Sequence, residues 1–262
     1  MQVGPLSKRG AKAPSRRTVL GTVTVGTVLS LITHPAAAVP KIQAIAFDGF
    51  PIFDPRSVTA AVRQLFPKEG ERLAVAWSQK LFDYTWIETA AGRYSNFEVL
   101  ARDALLFTAD DLGLGISQAQ SLKLVGSYFR LDVWPDVKPA LARLRDAGVR
   151  LVLLSNMTEA MLHSNMNRAD IGDFFEPPLS TDRVRRYKPS PTAYQMAIDH
   201  FSLPKETIGF AAFGGWDAVG ATWFGYRTAW VNRFRLPDER LYPKPVIAAP
   251  GIEAALELAG LG

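Results

Sequence analysis

Ile42-Gln43-Ala44-Ile45-Ala46-Phe47-Asp48-Gly49-Phe50-Pro51-Ile52-Phe53-Asp54 is an apolar run of strand length that stops at an aspartate and a turn. A carboxylate at the carboxyl end of a parallel strand stands at the mouth of the crevice where open α/β sheets do chemistry. Gly49 and Pro51 break the strand pattern, which leaves Asp48 at the loop edge. Taken alone, an aspartate after such a run is more often a turn or helix-cap residue. The rest of the chain has to decide between the two.

Downstream of this stretch, residues 55–131 read as helical throughout. Trp77, Leu81 and Tyr84 fall at i, i+4 and i+7, one buried helix face, while Ser78, Gln79, Phe82 and Trp86 lie on the adjoining face. Strand and helix then alternate. A helix opening at Asp136 ends at Gly148, and Arg150-Leu151-Val152-Leu153-Leu154 is a buried-type strand delivering Ser155-Asn156. A helix from Thr158, a short strand near Leu179 and a helix from Thr192 to Phe201 follow. Ile208 to Phe213 is a strand that leads through Gly214-Gly215-Trp216-Asp217 into a helix, and Thr228 to Asn232 is expected to be the last strand. Such alternation predicts an α/β fold: a doubly wound parallel sheet with helices on both faces. The helical block becomes a cap domain inserted after the first strand. The predicted boundaries are 39–54 and 132–262 for the core and 55–131 for the cap.

Composition narrows the function. The chain of 262 residues has no cysteine, which excludes disulfides and thiolate metal sites, and its 48% hydrophobic content suits a globular protein with a substantial core. The net charge of +5 arises from Lys8, Arg9, Lys12, Arg16 and Arg17; 30 Lys+Arg less these five leaves 25 against 25 Asp+Glu. No basic footprint for nucleic acid survives that subtraction. Residues 1–38 instead resemble a twin-arginine export signal, with Arg16-Arg17 ahead of a dilute apolar stretch and Ala36-Ala37-Ala38 as the cleavage site. The mature protein is therefore expected to be periplasmic or secreted, with no membrane association after cleavage.

Asp48, Ser155-Asn156, Lys188 and Asp217 are all placed at the same sheet edge by this reading. Together with Ala46-Phe47-Asp48, Leu153-Leu154-Ser155-Asn156, Tyr187-Lys188-Pro189-Ser190-Pro191 and Gly214-Gly215-Trp216-Asp217, they carry a resemblance to the haloacid dehalogenase superfamily. The segment Gln79-Lys80-Leu81-Phe82-Asp83-Tyr84-Thr85-Trp86 is similar to the cap helix of the L-2-haloacid dehalogenases in particular. The resemblance implies a Rossmann-like core, no cofactor and no metal. It also implies a small 2-haloacid or related small carboxylate as substrate and, by analogy, a homodimer. Phosphatases of this superfamily place a second aspartate two residues beyond the nucleophile. Phe50 stands there, and a phenyl ring neither protonates a leaving oxygen nor ligates a hard cation.

The roles that follow from the resemblance are specific. Asp48 would attack C2 of the haloacid, and water would then open the resulting ester. Lys188 would keep Asp48 ionised, although a lysine before a Pro-rich loop is by default a surface residue. Asp217, otherwise a helix N-cap, would position water with Lys188. Ser155 and Asn156 would bind the substrate carboxylate. Phe50, Gln79, Phe82, Phe97, Tyr194 and Trp216 match positions of the halogen and alkyl pocket, with a plain core role for Phe97 equally open. Four positions depart from the family pattern. Ser78 replaces the arginine that receives halide, Pro51 with Ile52 stands for a Gly-Thr pair, and Ala212 and Gly214 replace a serine and an asparagine. These departures leave ligand binding without turnover as the alternative to an active dehalogenase, with a phosphatase third.

Overall fold

In the computed structural model, which describes residues 40–262, the decisive strand is β1 (Ala44–Phe47), every residue of it buried. The expected export signal, with Arg16-Arg17 and cleavage near Ala38, lies outside the described residues. After β1 come a two-residue strand β2 (Phe53–Asp54) and four helices, α1 (Arg56–Leu65), α2 (Gly70–Ala90), α3 (Phe97–Asp111) and α4 (Gln118–Val125). Strand β3 (Asp132–Val133) returns antiparallel to β2, so the helical block leaves and rejoins the sheet layer at one point. The order continues with α5 (Val137–Asp146), β4 (Arg150–Ser155), α6 (Glu159–Ala169), β5 (Leu179–Ser180), α7 (Pro191–Phe201) and β6 (Ile208–Ala212). It closes with α8 (Gly215–Phe224), β7 (Arg227–Val231), β8 (Ile247–Ala249) and α9 (Glu253–Leu258).

The sheet has the order β5-β4-β1-β6-β7-β8, with every neighbouring pair parallel. Strand side chains alternate between two apolar layers, as a period of two demands. Ile45, Phe47, Leu151 and Leu153 join one cluster with α5, α6 and α9, while Ala46, Val152, Leu154 and Phe210 join the other with residues of α7 and α8. The chain moves outward from β1 through β4 to β5, then restarts at β6 on the opposite side. Asp48 and the segment after β6 therefore flank the point where strand order reverses, the place where such sheets open a crevice.

The expectation that β7 is the last strand is corrected, because β8 pairs with it in parallel. The segment before β8 is rich in proline and exposed, and β8 itself is only half-buried, so it lacks the apolar pattern that marks a central strand. Local interactions fix the helix ends. Gly148 takes a φ of +76°, a left-handed conformation beyond α5 that costs glycine little. Asn96 caps α3 through Val99 N, and Ser117 with Gln120 forms a capping box on α4. Trp77 anchors α2 to α3 by donating to the Ala101 carbonyl at 2.7 Å.

Candidate active site

Asp48 follows β1 and is buried, with 8% exposure, at the floor of an open cavity of about 660 Å³. Lys188 Nζ donates to Asp48 Oδ1 at 2.7 Å and to Asp217 Oδ2 at 2.7 Å. Asp48 Oδ2 accepts only a long 3.3 Å bond from Phe50 N among the described residues. One carboxylate oxygen is thus fixed by a cation and the other is lightly held, which is the asymmetry a carboxylate nucleophile needs.

Lys188 and Asp217 are each 1% exposed, so the default surface role for this lysine is ruled out. Burial works against the Lys188 ammonium, but Asp217 and Asp48 outweigh it and hold its pKa above the ordinary lysine value. Asp217 is pushed up to about 6 by burial, with Lys188 pulling it back and Asp48 adding to the rise. Asp217 is also the third residue of α8 rather than its cap, a position where the helix dipole favours negative charge. Its remaining oxygen, Oδ1, accepts from Tyr194 Oη at 2.6 Å. Each of its oxygens accepts one bond, and Asp217 stands behind Lys188, outside the cavity lining.

Tyr194 departs from expectation. It is fully buried on α7, outside the cavity wall, and its phenol is kept protonated by burial and by Asp217. It braces Asp217 and does not line the cavity. A helix face cannot be assigned to the pocket or the core behind it from sequence alone, which is why the two were confused.

Ser155 ends β4, and its hydroxyl accepts from Met157 N at 3.2 Å. Asn156 Oδ1 accepts from Lys188 N at 3.0 Å, while the buried Asn156 Nδ2 has no partner. Both residues line the cavity with Asp48. Gly49 lets this loop come close: a Cβ there would collide with Met157 Cε and lie 3.1 Å from Ser155 Oγ.

The aromatic positions converge. Phe50 packs on Phe213 with ring centroids 5.7 Å apart, and Phe82 and Trp86 from α2 pack on Trp216 at 5.5 and 5.4 Å. These contacts join the helical block to the segment after β6. Phe97 is both core and wall, since it is 1% exposed, packs on Tyr128 and reaches the cavity. Gln79 and Ser78 line the cavity from the exposed part of α2, with Gln79 bonded to Asp83 at 2.9 Å.

None of the four departing positions gives Asp48 a side-chain hydrogen bond. A Cβ on Gly214 would lie 2.7 Å from Trp216 Nε1, so the indole occupies the space a longer residue 214 would claim. Ala212 is buried at the end of β6 and offers no polar group. The loop holding Pro51 is fixed from outside: Arg233 donates to the Pro51 carbonyl at 2.7 Å and Trp134 to the Phe50 carbonyl at 3.0 Å. Arg233 is itself held by Asp136 at 2.6 Å. These supports were not foreseen, because no spacing rule connects Arg233 to a turn 182 residues earlier. Met157, Tyr128 and Phe213 are further wall residues that went unnoticed.

A parallel sheet with a carboxylate, a lysine and a second carboxylate at its switch point, under a helical block, defines a hydrolase class. A family profile for haloacid dehalogenase-like hydrolases matches residues 21–211, and the chain belongs to that family. It is 34% identical over 219 residues to haloacetate dehalogenase H-2 of Moraxella sp. (strain B), covering 83% of this chain and 98% of that protein. The crystal structure of an L-2-haloacid dehalogenase superposes with a TM-score of 0.82 at 36% identity, covering 84% of this chain and 100% of the other. An L-2-haloacid dehalogenase from Xanthobacter autotrophicus with chloropropionic acid covalently bound superposes with a TM-score of 0.75 at 27% identity, covering 82% and 98%.

Proposed function

We propose that the protein hydrolyses the carbon–halogen bond of an (S)-2-haloalkanoic acid, with Asp48 as the nucleophile. The observation that carries this reading is the Lys188 bridge, which holds Asp48 Oδ1 at 2.7 Å and leaves Oδ2 lightly held at the cavity floor. Asp48 Oδ2 attacks C2 from the side opposite the halogen; the C–O bond forms as the C–X bond breaks and halide leaves with its electron pair. The Ser155 hydroxyl and the Asn156 backbone N–H are the donors for the substrate carboxylate. Esterified Asp48 has lost its charge, and Lys188 then polarises the ester through Oδ1 while Asp217 balances the ammonium. Water adds to the Asp48 carboxyl carbon and the bond to the 2-hydroxyacid breaks. One water proton goes to the departing oxygen and the other to solvent, regenerating the carboxylate.

Phe50 supports carbon–halogen over phosphoryl chemistry, since halide departs without a proton and a phosphate ester's leaving oxygen does not. A second reading, ligand binding without turnover, has Ser78 behind it. A neutral hydroxyl gives a departing anion less stabilisation than a cation, and electrostatic groups of this kind are worth a few kcal/mol in rate. Racemic 2-chloropropanoate separates the readings, and binding of the acid with no chloride released would favour the second. The dehalogenase reading expects half of the chloride to be released and (R)-lactate to accumulate, the (S) substrate being consumed with inversion. Absence of chloride release, with Mg²⁺-dependent hydrolysis of p-nitrophenyl phosphate, would replace it with phosphatase chemistry.

A further inference from the structure

The cavity is far larger than a three-carbon acid needs. Such an acid has six heavy atoms, and at the roughly 30 Å³ that one water molecule takes in the liquid it would fill on the order of 180 Å³. The cavity of about 660 Å³ lies in the size range of sites that hold much larger ligands. One wall of it is α2. Glu71, Ala74, Val75, Ser78, Gln79 and Phe82 all line it, a stripe of one helix face that spans about 16 Å at 1.5 Å per residue.

The two ends of the stripe differ. Phe82 packs on Trp216 at the sheet end, whereas Glu71 pairs with Arg63 at the solvent end. Between them the small, uncharged Ser78 leaves the passage open, and the exposed apolar residues Val75 (64%), Phe234 (46%) and Leu236 (54%) line the same cavity. Apolar side chains left exposed together along a groove mark a surface that a ligand covers. Among the described residues the lining cations are spoken for, Arg63 by Glu71 and Arg56 by Asp54, and the further lining carboxylate Glu239 has no cationic partner, so the mouth does not ask for a second anionic group.

We propose that this groove is an acyl channel, and that the acid presented to Asp48 carries a medium-length apolar chain, of the octanoate class, instead of one or two carbons. The inference rests on the dehalogenase reading for the reacting end and extends it to the tail. Val75, Leu236 and Phe234 are the specificity-determining residues for chain length.

Two measurements test it separately from the chemistry. The first is binding of the unreactive acids octanoate and propanoate, followed by tryptophan fluorescence or calorimetry. A buried methylene is worth roughly four-fold in affinity, so five additional carbons with half their surface covered should favour octanoate by about 30-fold. Val75→Glu and Leu236→Glu, both at exposed positions, should each narrow that ratio to below about 5-fold. The second is chloride release from 2-chlorooctanoate against 2-chloropropanoate, where kcat/KM should favour the longer acid by at least 10-fold. Octanoate binding no tighter than propanoate, or chloride release that falls with chain length, overturns the channel and leaves the dehalogenase reading intact. Tighter octanoate binding with no chloride released from either acid keeps the channel and removes the dehalogenase reading.

Discussion

Asp48→Asn lowers chloride release by on the order of 10⁴-fold or more, the scale on which enzymes lose activity when the group that forms the covalent intermediate is removed. An amide oxygen of nearly the same size and position is a far weaker nucleophile than a carboxylate, so the loss is chemical and not steric. Lys188 keeps Asp217 as a counter-charge in the variant, which is why the fold should survive. Single-turnover chloride release by ion chromatography, with a thermal melt as the control for folding, checks this. A loss below ten-fold in a folded variant would mean that another group attacks the substrate.

Lys188→Met produces the largest expected change in stability. The ammonium is the shared partner of Asp48 and Asp217, at 2.7 Å from each, and Asp217 is 1% exposed. Removing one partner of a buried ion pair costs about 3–5 kcal/mol, because a charge is left in a poor solvent. For a chain of this size that lowers Tm by on the order of 10 °C. The pH dependence has a definite sign. Burial already raises Asp217 to about 6, above the value of a free carboxylate, and losing Lys188 raises it further. The folded variant then holds a proton that the unfolded chain releases, so its stability falls as pH rises through that window. The deficit is full above the raised pKa and shrinks as pH falls toward 4. Adding Asp217→Asn to Lys188→Met should restore part of the loss. A Tm at pH 8 within about 2 °C of the wild type would show that the ion triad contributes little.

Much of the fold was legible because its signals are local. The run ending at Asp48, the alternation around β4 and β6, and Gly148 beyond α5 each depend on a few adjacent residues. The helix face holding Ser78, Gln79 and Phe82 could be read from spacing, and it does line the cavity. What escaped depends on distant parts of the chain meeting. Tyr194 was expected beside the ligand and braces Asp217 from behind, since its helix could turn the same face either way. Arg233 and Trp134 hold the loop after Asp48 from segments that no periodicity links to it. Strand β8 is short, exposed and preceded by prolines, so its pairing with β7 had no pattern to announce it. Lys188 was legible as a motif residue, whereas its complete burial between two carboxylates was not.

The most direct measurement is a single turnover with enzyme in excess over a consumed 2-haloacid in H₂¹⁸O, followed by mass spectrometry of the proteolytic fragment that contains Asp48. A covalent path through this side chain predicts that the fragment carries one heavy oxygen in place of a light one while the released hydroxyacid stays unlabelled. Heavy oxygen in the hydroxyacid alone, with Asp48 unchanged, would mean that water attacks the substrate directly.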